Sequence, residues 1–148
     1  MQEMDEQIQS LARQCDRYEL FFKCTYKWLT LLENGTTLIP YFEKHRCKKI
    51  GIYGSAEFGK MLCKELTAHS QIQVEFFMDR NAENERMIEG IPVFLPKELP
   101  NVPDVDMLVV TAIAAADSIV RTLLEVRPEL PIVSLNTIID ARINEEWL

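Results

Sequence analysis

Lys49–Lys60 reads KIGIYGSAEFGK: a β-branched apolar run, a glycine turn and the opening of a helix. A G-x-G-x-x-G loop between a strand and a helix lets backbone N–H groups and the positive end of the helix hold a phosphate. Here the three positions are Gly54, Ala56 and Gly59. The first glycine suits a tight turn and the third lets helix and strand approach closely, whereas Ala56 puts a methyl group where a pyrophosphate would need bare backbone. Asp79 closes the next apolar run, VEFFMD, at about the 20-residue separation that a dinucleotide fingerprint expects. Strand, turn, helix, strand and carboxylate therefore come in the order of a nucleotide-binding βαβ unit.

Downstream, Phe58, Leu62 and Leu66 give the first crossover helix a sheet-facing stripe, and a second strand, Ile72 to Met78, delivers Asp79 to the carboxyl edge. There the carboxylate would accept hydrogen bonds from ribose hydroxyls, or else serve as a turn residue in DRNAEN. Arg80 is placed to meet a 2′-phosphate, but the adjacent carboxylate would repel one, so NADP is disfavoured relative to NAD or a simpler nucleotide. The charged stretch Arg80 to Glu89 lacks apolar periodicity and reads as an exposed loop without a packed element. Gly90–Phe94 is a short strand whose proline suits an edge. Val105 to Val110 is continuously apolar, as a central parallel strand buried on both faces must be. It ends at Thr111 and Ala112, facing the glycine loop. Asp117 opens the next helix, Pro128 stops it, Pro131 to Leu135 makes a fifth strand, and Asn136 is positioned to cap a last helix. The expected fold is α/β: a Rossmann-like five-stranded parallel sheet of order 3-2-1-4-5, spanning residues 48–148.

Upstream lies a helical extension, residues 1–47. Met4, Ile8, Leu11, Cys15, Tyr18, Phe22, Thr25, Leu29 and Leu32 recur at alternating spacings of four and three, a heptad seam. No proline or glycine interrupts it before Gly35, so one helix of about 45 Å is expected. Leu20, Phe21, Trp28 and Leu31 favour packing of its second half on the chain's own core. The first half carries only the seam, and a homodimer joined through Met1–Cys15 is the expected means of covering it. A short helix follows, capped by Thr36 or Thr37 and tolerating Pro40 in its first turn, with His45 and Arg46 complementing its dipole.

A formal charge of -7 argues against a nucleic-acid partner, since phosphate-backbone binders gather Lys and Arg on one face. Cys15, Cys24, Cys47 and Cys63 are scattered singly, without metal-ligand spacing, and read as reduced thiols. The polar N-terminus and the lack of a long apolar run lead to the expectation of a cytoplasmic protein with no membrane span. The residues four beyond Tyr18, Tyr26, Tyr41 and Tyr53 are Phe22, Thr30, His45 and Glu57, so the Tyr-x-x-x-Lys pair of short-chain epimerases and dehydratases is missing. Neither a G-x-S-x-G elbow nor an H-E-x-x-H pair is present, and no catalytic constellation is recognisable.

Taken together, IGIYGSAEFGKMLCKEL, VEFFMDRN, GIPVF and VDMLVVTA resemble the small Rossmann-like, CoA-binding-like domains attached to bacterial polysaccharide-biosynthesis proteins. These include the accessory domains of sugar-nucleotide dehydratases and polyprenyl-phosphate sugar transferases. The resemblance covers roughly Lys48 to Leu135, and the Gly-Ile-Pro-Val element after a charged loop is its most telling piece. It implies a nucleotide-type cleft at Gly54, Ser55, Ala56, Glu57, Phe58 and Gly59, with Asp79 at the position that follows the second strand; the reading of the residues themselves adds Arg80 and, across the sheet, Thr111 and Ala112. It implies NAD, CoA or a nucleotide-sugar as candidate ligands and a polysaccharide-biosynthesis enzyme as a candidate partner, and it supplies no activity. Two readings stay open: a nucleotide-binding or sensing module, and an assembly scaffold that keeps the fold around a degenerate loop. Glu57 supports the second, because an acidic residue in the first turn fills the electrostatic role of a ligand phosphate.

Overall fold

A computed structural model describes residues 1–147. In chain order its elements are α1 (Gln2–Glu33), α2 (Ile39–Lys44), β1 (Lys49–Tyr53), α3 (Glu57–His69), β2 (Gln73–Met78), β3 (Met87–Ile88) and β4 (Ile91–Phe94). A 3₁₀ segment (Pro96–Asn101), β5 (Met107–Val110), a 3₁₀ turn (Ile113–Ala115), α4 (Ala116–Val126), β6 (Ile132–Ser134) and α5 (Leu135–Trp147) complete it.

The strand that opens the glycine turn lies at the middle of the sheet. β1 pairs in parallel with β2 on one side and with β5 on the other, in register Ile50↔Met107 through Tyr53↔Val110. Its residues alternate between two cores. Ile50 and Ile52 join Phe77, Met107 and Val109 beneath α1, α2, α3 and α5, whereas Tyr53 joins Phe76, Leu108 and Val110 beneath α4. Burial on both faces is why the central strands read as unbroken apolar runs. Gly51 has a packing reason: a Cβ there would overlap the Phe76 ring of the neighbouring strand.

The sheet has six strands in the order β3-β4-β2-β1-β5-β6, not five. Its parallel members keep the expected 3-2-1-4-5 arrangement, and the addition is β3, which pairs antiparallel with β4 through Met87↔Pro92 and Ile88↔Ile91. Residues 80–89 thus do contain a packed element, with Ile88 buried. The connection is a two-residue turn with Glu89 at φ 49° and Gly90 at φ 83°, the left-handed pair that matches the twist of a tight hairpin. A two-residue strand is too short to show alternation, which is why composition pointed to a loop. One cap differs: the Ser134 hydroxyl, not Asn136, accepts the Thr137 N–H (3.2 Å) at the start of α5. At the start of α2, Thr37 Oγ1 accepts the Ile39 N–H (3.1 Å) from one residue ahead of the N-cap Leu38.

α1 ends in a Schellman motif. Gly35, at φ 77°, donates to the Leu32 carbonyl and Thr36 donates to that of Leu31, each at 3.0 Å. Its second half packs on the sheet's first core through Cys24, Trp28 and Leu31, with Leu20 and Phe21 partly buried beside them. A polar clasp fixes this docking. The buried Glu65 of α3 accepts from the Trp28 indole N–H (3.0 Å) and from the Leu38 backbone N–H (3.2 Å). At the other end the buried Arg142 of α5 donates to the Thr37 carbonyl (2.8 Å) and to Thr36 Oγ1 (2.6 Å), while pairing with Glu145 and Glu146. The heptad seam takes no part in this packing. Tyr18, Phe22, Leu29 and Leu32 stay exposed along the docked half, as Met4, Ile8 and Leu11 do along the free half. Among the described residues, no helix is long and apolar enough to cross a membrane.

Candidate functional site

The glycine turn sits where the crossovers on either side of β1 diverge, at the carboxyl edge between β2 and β5. Gly54 stands at φ 103°, a conformation that L side chains rarely adopt, and its N–H donates to the Met78 carbonyl (2.8 Å), tying the turn to the end of β2. A Cβ on Gly59 would overlap the Gly54 carbonyl oxygen, so α3 runs against the turn in the way the third glycine permits. Ala56 is the exposed N-cap residue of α3 and offers no side-chain oxygen. Glu57, in the first turn, is exposed.

Asp79 is drawn to this loop. Its Oδ2 accepts from both the Ser55 N–H (3.0 Å) and the Ser55 hydroxyl (2.7 Å), and its Oδ1 accepts from the Asn81 N–H (2.8 Å). Burial pushes the carboxyl pKa upward, but the bonds from Asn81 and Ser55 outweigh it and hold the group below the usual carboxylate value. Asp79 is therefore an anion at neutral pH with three of its roughly four acceptor sites taken inside the chain. Arg80 beside it is exposed.

Across the switch point, Thr111 is buried. Its hydroxyl donates to the Tyr53 carbonyl (2.8 Å) and lies 3.2 Å from that of Gly54, so it staples the ends of β5 and β1 together. Ala112 follows it, half-buried. Phe58 is claimed from another direction: its ring lies 5.8 Å from Phe21 and 6.4 Å from Trp28, both on α1. The long helix also meets the 3₁₀ turn after Ala112, so it abuts both sides of the switch point. Phe21 and Trp28, seven residues apart on one side of α1, are thus neighbours of the site that motif reading does not reach. Their offset from the heptad seam is the trace they leave in the sequence.

Two surface depressions of about 420 Å³ each lie elsewhere, one at the amino end of β2 around Ser70 and Gln73, the other along the edge strand β6 beside Arg121 and Thr137. Neither touches the glycine loop. Burial pushes the thiols of Cys24 and Cys47 up to about 11 and raises that of Cys63, leaving all three inert in the core.

No family model matches this chain. No curated protein matches it either. Among solved structures, a UDP-D-quinovosamine 4-dehydrogenase from Vibrio fischeri superposes with a TM-score of 0.47 at 19% identity, over 64% of this chain and 85% of that one.

Proposed function

We propose that this chain is a nucleotide-recognising Rossmann-like module of sugar-nucleotide or polysaccharide metabolism that binds its ligand and leaves the chemistry to another protein. One juxtaposition carries the reading. The amino end of α3, which lacks a side-chain cap, stands beside the half-buried carboxylate of Asp79 at the ends of adjacent parallel strands. The first offers backbone donors and the positive end of a dipole; the second offers an acceptor. A nucleotide brings the complement of both, a phosphate and a ribose hydroxyl. The proposed contacts are Gly54 to Gly59, Asp79, and the Thr111–Ala112 edge, with Arg80 at the rim. The resemblance of GIPVF and its flanking runs to accessory domains of polysaccharide biosynthesis supports the metabolic setting.

Within this class, NAD, CoA or a nucleotide-sugar fits better than NADP, whose 2′-phosphate would meet the Asp79 anion. Titration calorimetry with NAD, CoA, ATP and a UDP-sugar tests the proposal. At least one should bind, and Asp79→Ala should weaken it about tenfold or more, the equivalent of one charged hydrogen bond. No heat from any of them at millimolar concentration would overturn the reading.

One observation favours the alternative, an assembly scaffold. Asp79 already serves Ser55 and Asn81, so the carboxylate closes the loop internally much as a ligand would. In that case the nucleotides leave the melting temperature unmoved.

A further inference from the structure

Resting on the nucleotide-binding reading above, we propose that Ser55 sets the sugar specificity of the site: with both of its donors on Asp79 it leaves the carboxylate one open acceptor, so that a single ribose hydroxyl is read instead of the 2′,3′ pair. An ionised carboxylate has about four acceptor sites, two on each oxygen. Oδ2 of Asp79 is filled by the Ser55 N–H (3.0 Å) and the Ser55 hydroxyl (2.7 Å). Oδ1 takes the Asn81 N–H (2.8 Å) and keeps one site. Asp79 and Ser55 are half-buried, so a ligand lying on the loop reaches that site.

The three donors on Asp79 are not equivalent. The Asn81 N–H is fixed by the turn after β2, in which the Ala82 N–H donates to the Asp79 carbonyl (3.2 Å). The Ser55 N–H is fixed by the glycine turn, which the Gly54 N–H ties to the Met78 carbonyl (2.8 Å). Only the Ser55 hydroxyl can swing away, by rotation about one side-chain bond. A ribose hydroxyl that displaced it would exchange one O–H donor on the carboxylate for another and add no bond. The serine also holds its place without the loss of freedom that a ligand group suffers on binding. A hydroxyl that takes the open site on Oδ1 does add a charge-assisted bond. The first ribose hydroxyl therefore gains affinity and the second does not.

Removing the hydroxyl changes the count. Each carboxylate oxygen would then keep one backbone N–H, from Ser55 on one side and Asn81 on the other, and offer one open site. Adjacent acceptors on the two oxygens are what neighbouring 2′ and 3′ hydroxyls bridge together. Ser55→Ala should therefore turn a reader of one hydroxyl into a reader of the pair, with the backbone of the loop unchanged.

Calorimetry with ATP and UTP, each also in its 2′-deoxy, 3′-deoxy and 2′,3′-dideoxy form, tests this. With the wild-type chain either singly deoxygenated nucleotide should bind within about threefold of its parent, and the dideoxy form about tenfold more weakly, the loss of one charged hydrogen bond. With Ser55→Ala the parent should bind about tenfold tighter than it does to the wild type, and either single deoxygenation should cancel that gain. Ser55→Thr keeps a hydroxyl and should behave as the wild type. In the ligand-free protein the Asp79 carboxyl, followed by NMR, should titrate higher in Ser55→Ala, because one of the bonds that hold it down is gone. A tenfold loss on a single deoxygenation in the wild type would show that both hydroxyls are read, and a dideoxy form as tight as its parent would show that neither is; each overturns the proposal. So does an Asp79 titration unmoved by Ser55→Ala, which would place the serine hydroxyl elsewhere. Silence of both triphosphates overturns it as well, whereas the nucleotide-binding reading falls only if NAD, CoA and a UDP-sugar are silent too.

Discussion

Asp79 shows how much of the site a single side chain determines. Its two oxygens bind Ser55 twice and Asn81 once, across a separation of 24 residues on one side and two on the other. Because those bonds hold its folded pKa below the ordinary 3.8, the stabilisation is fully present above that value and is lost as the pH falls through the folded pKa. Asp79→Asn should cost about 1–3 kcal/mol at neutral pH, since the amide cannot accept at both ends. It should also flatten the acid side of the stability curve, and thermal melts of both proteins from neutral pH to below pH 3.8 would show it. An unchanged acid limb would mean that the carboxylate is not held in the folded state. The spacing of Gly54, Gly59 and Asp79 made this corner legible, because a tight turn and a close helix approach constrain the residues where they stand. The fate of Phe58 and Thr111 was not legible. Phe58 is filled against Phe21 and Trp28, and Thr111 is tied to Tyr53 across the sheet, contacts that depend on chain segments 30 or more residues away.

At the scale of elements, the central strands β1 and β5 announced themselves because burial on both faces demands a nearly unbroken apolar run, and each major helix because its stripe repeats. β3 escaped since two residues carry no period. α1 was half legible: its seam is periodic, but a sequence does not say which of two apolar faces meets the core. The side chain that settles it, Glu65, is a polar residue on the sheet-facing helix α3, where only an apolar stripe would be sought. It is buried with its carboxylate shared between the Trp28 indole and the Leu38 N–H. Glu65→Ala would strand two buried donors at about 1–3 kcal/mol each, so it should lower the urea midpoint substantially and loosen α1 and α2 from the sheet. Glu65→Gln keeps one carbonyl acceptor and should fall between. Equal stability of all three proteins would show that solvent, not Glu65, satisfies those donors.

On the scale of the whole molecule, α1 divides by function at the point where it leaves the core. Met1 through Leu11 are exposed throughout, so nothing in the fold of the sheet depends on them. From Leu20 onward the same helix is part of the core: Cys24, Trp28 and Leu31 are buried with Leu38 and Phe42 against the face of the sheet formed by Ile50, Ile52 and Val109. The segment between α1 and α2 is further tied to α5 by Arg142, whose guanidinium would lose the Thr37 carbonyl and the Thr36 hydroxyl if that segment were removed. Two truncations separate these roles. A chain starting at Arg17 should fold with a cooperative transition close to that of the full chain, since no buried side chain is lost. A chain starting at Lys48 should not fold cooperatively. It exposes the first core and leaves Arg142 and Glu65 without backbone partners, and each large core side chain forfeited costs about 2–5 kcal/mol against a typical total of 5–15 kcal/mol. Circular dichroism melts of the two chains decide the matter: a sharp transition from the shorter one would show that the sheet stands alone and that α1 and α2 are an appendage rather than part of its core.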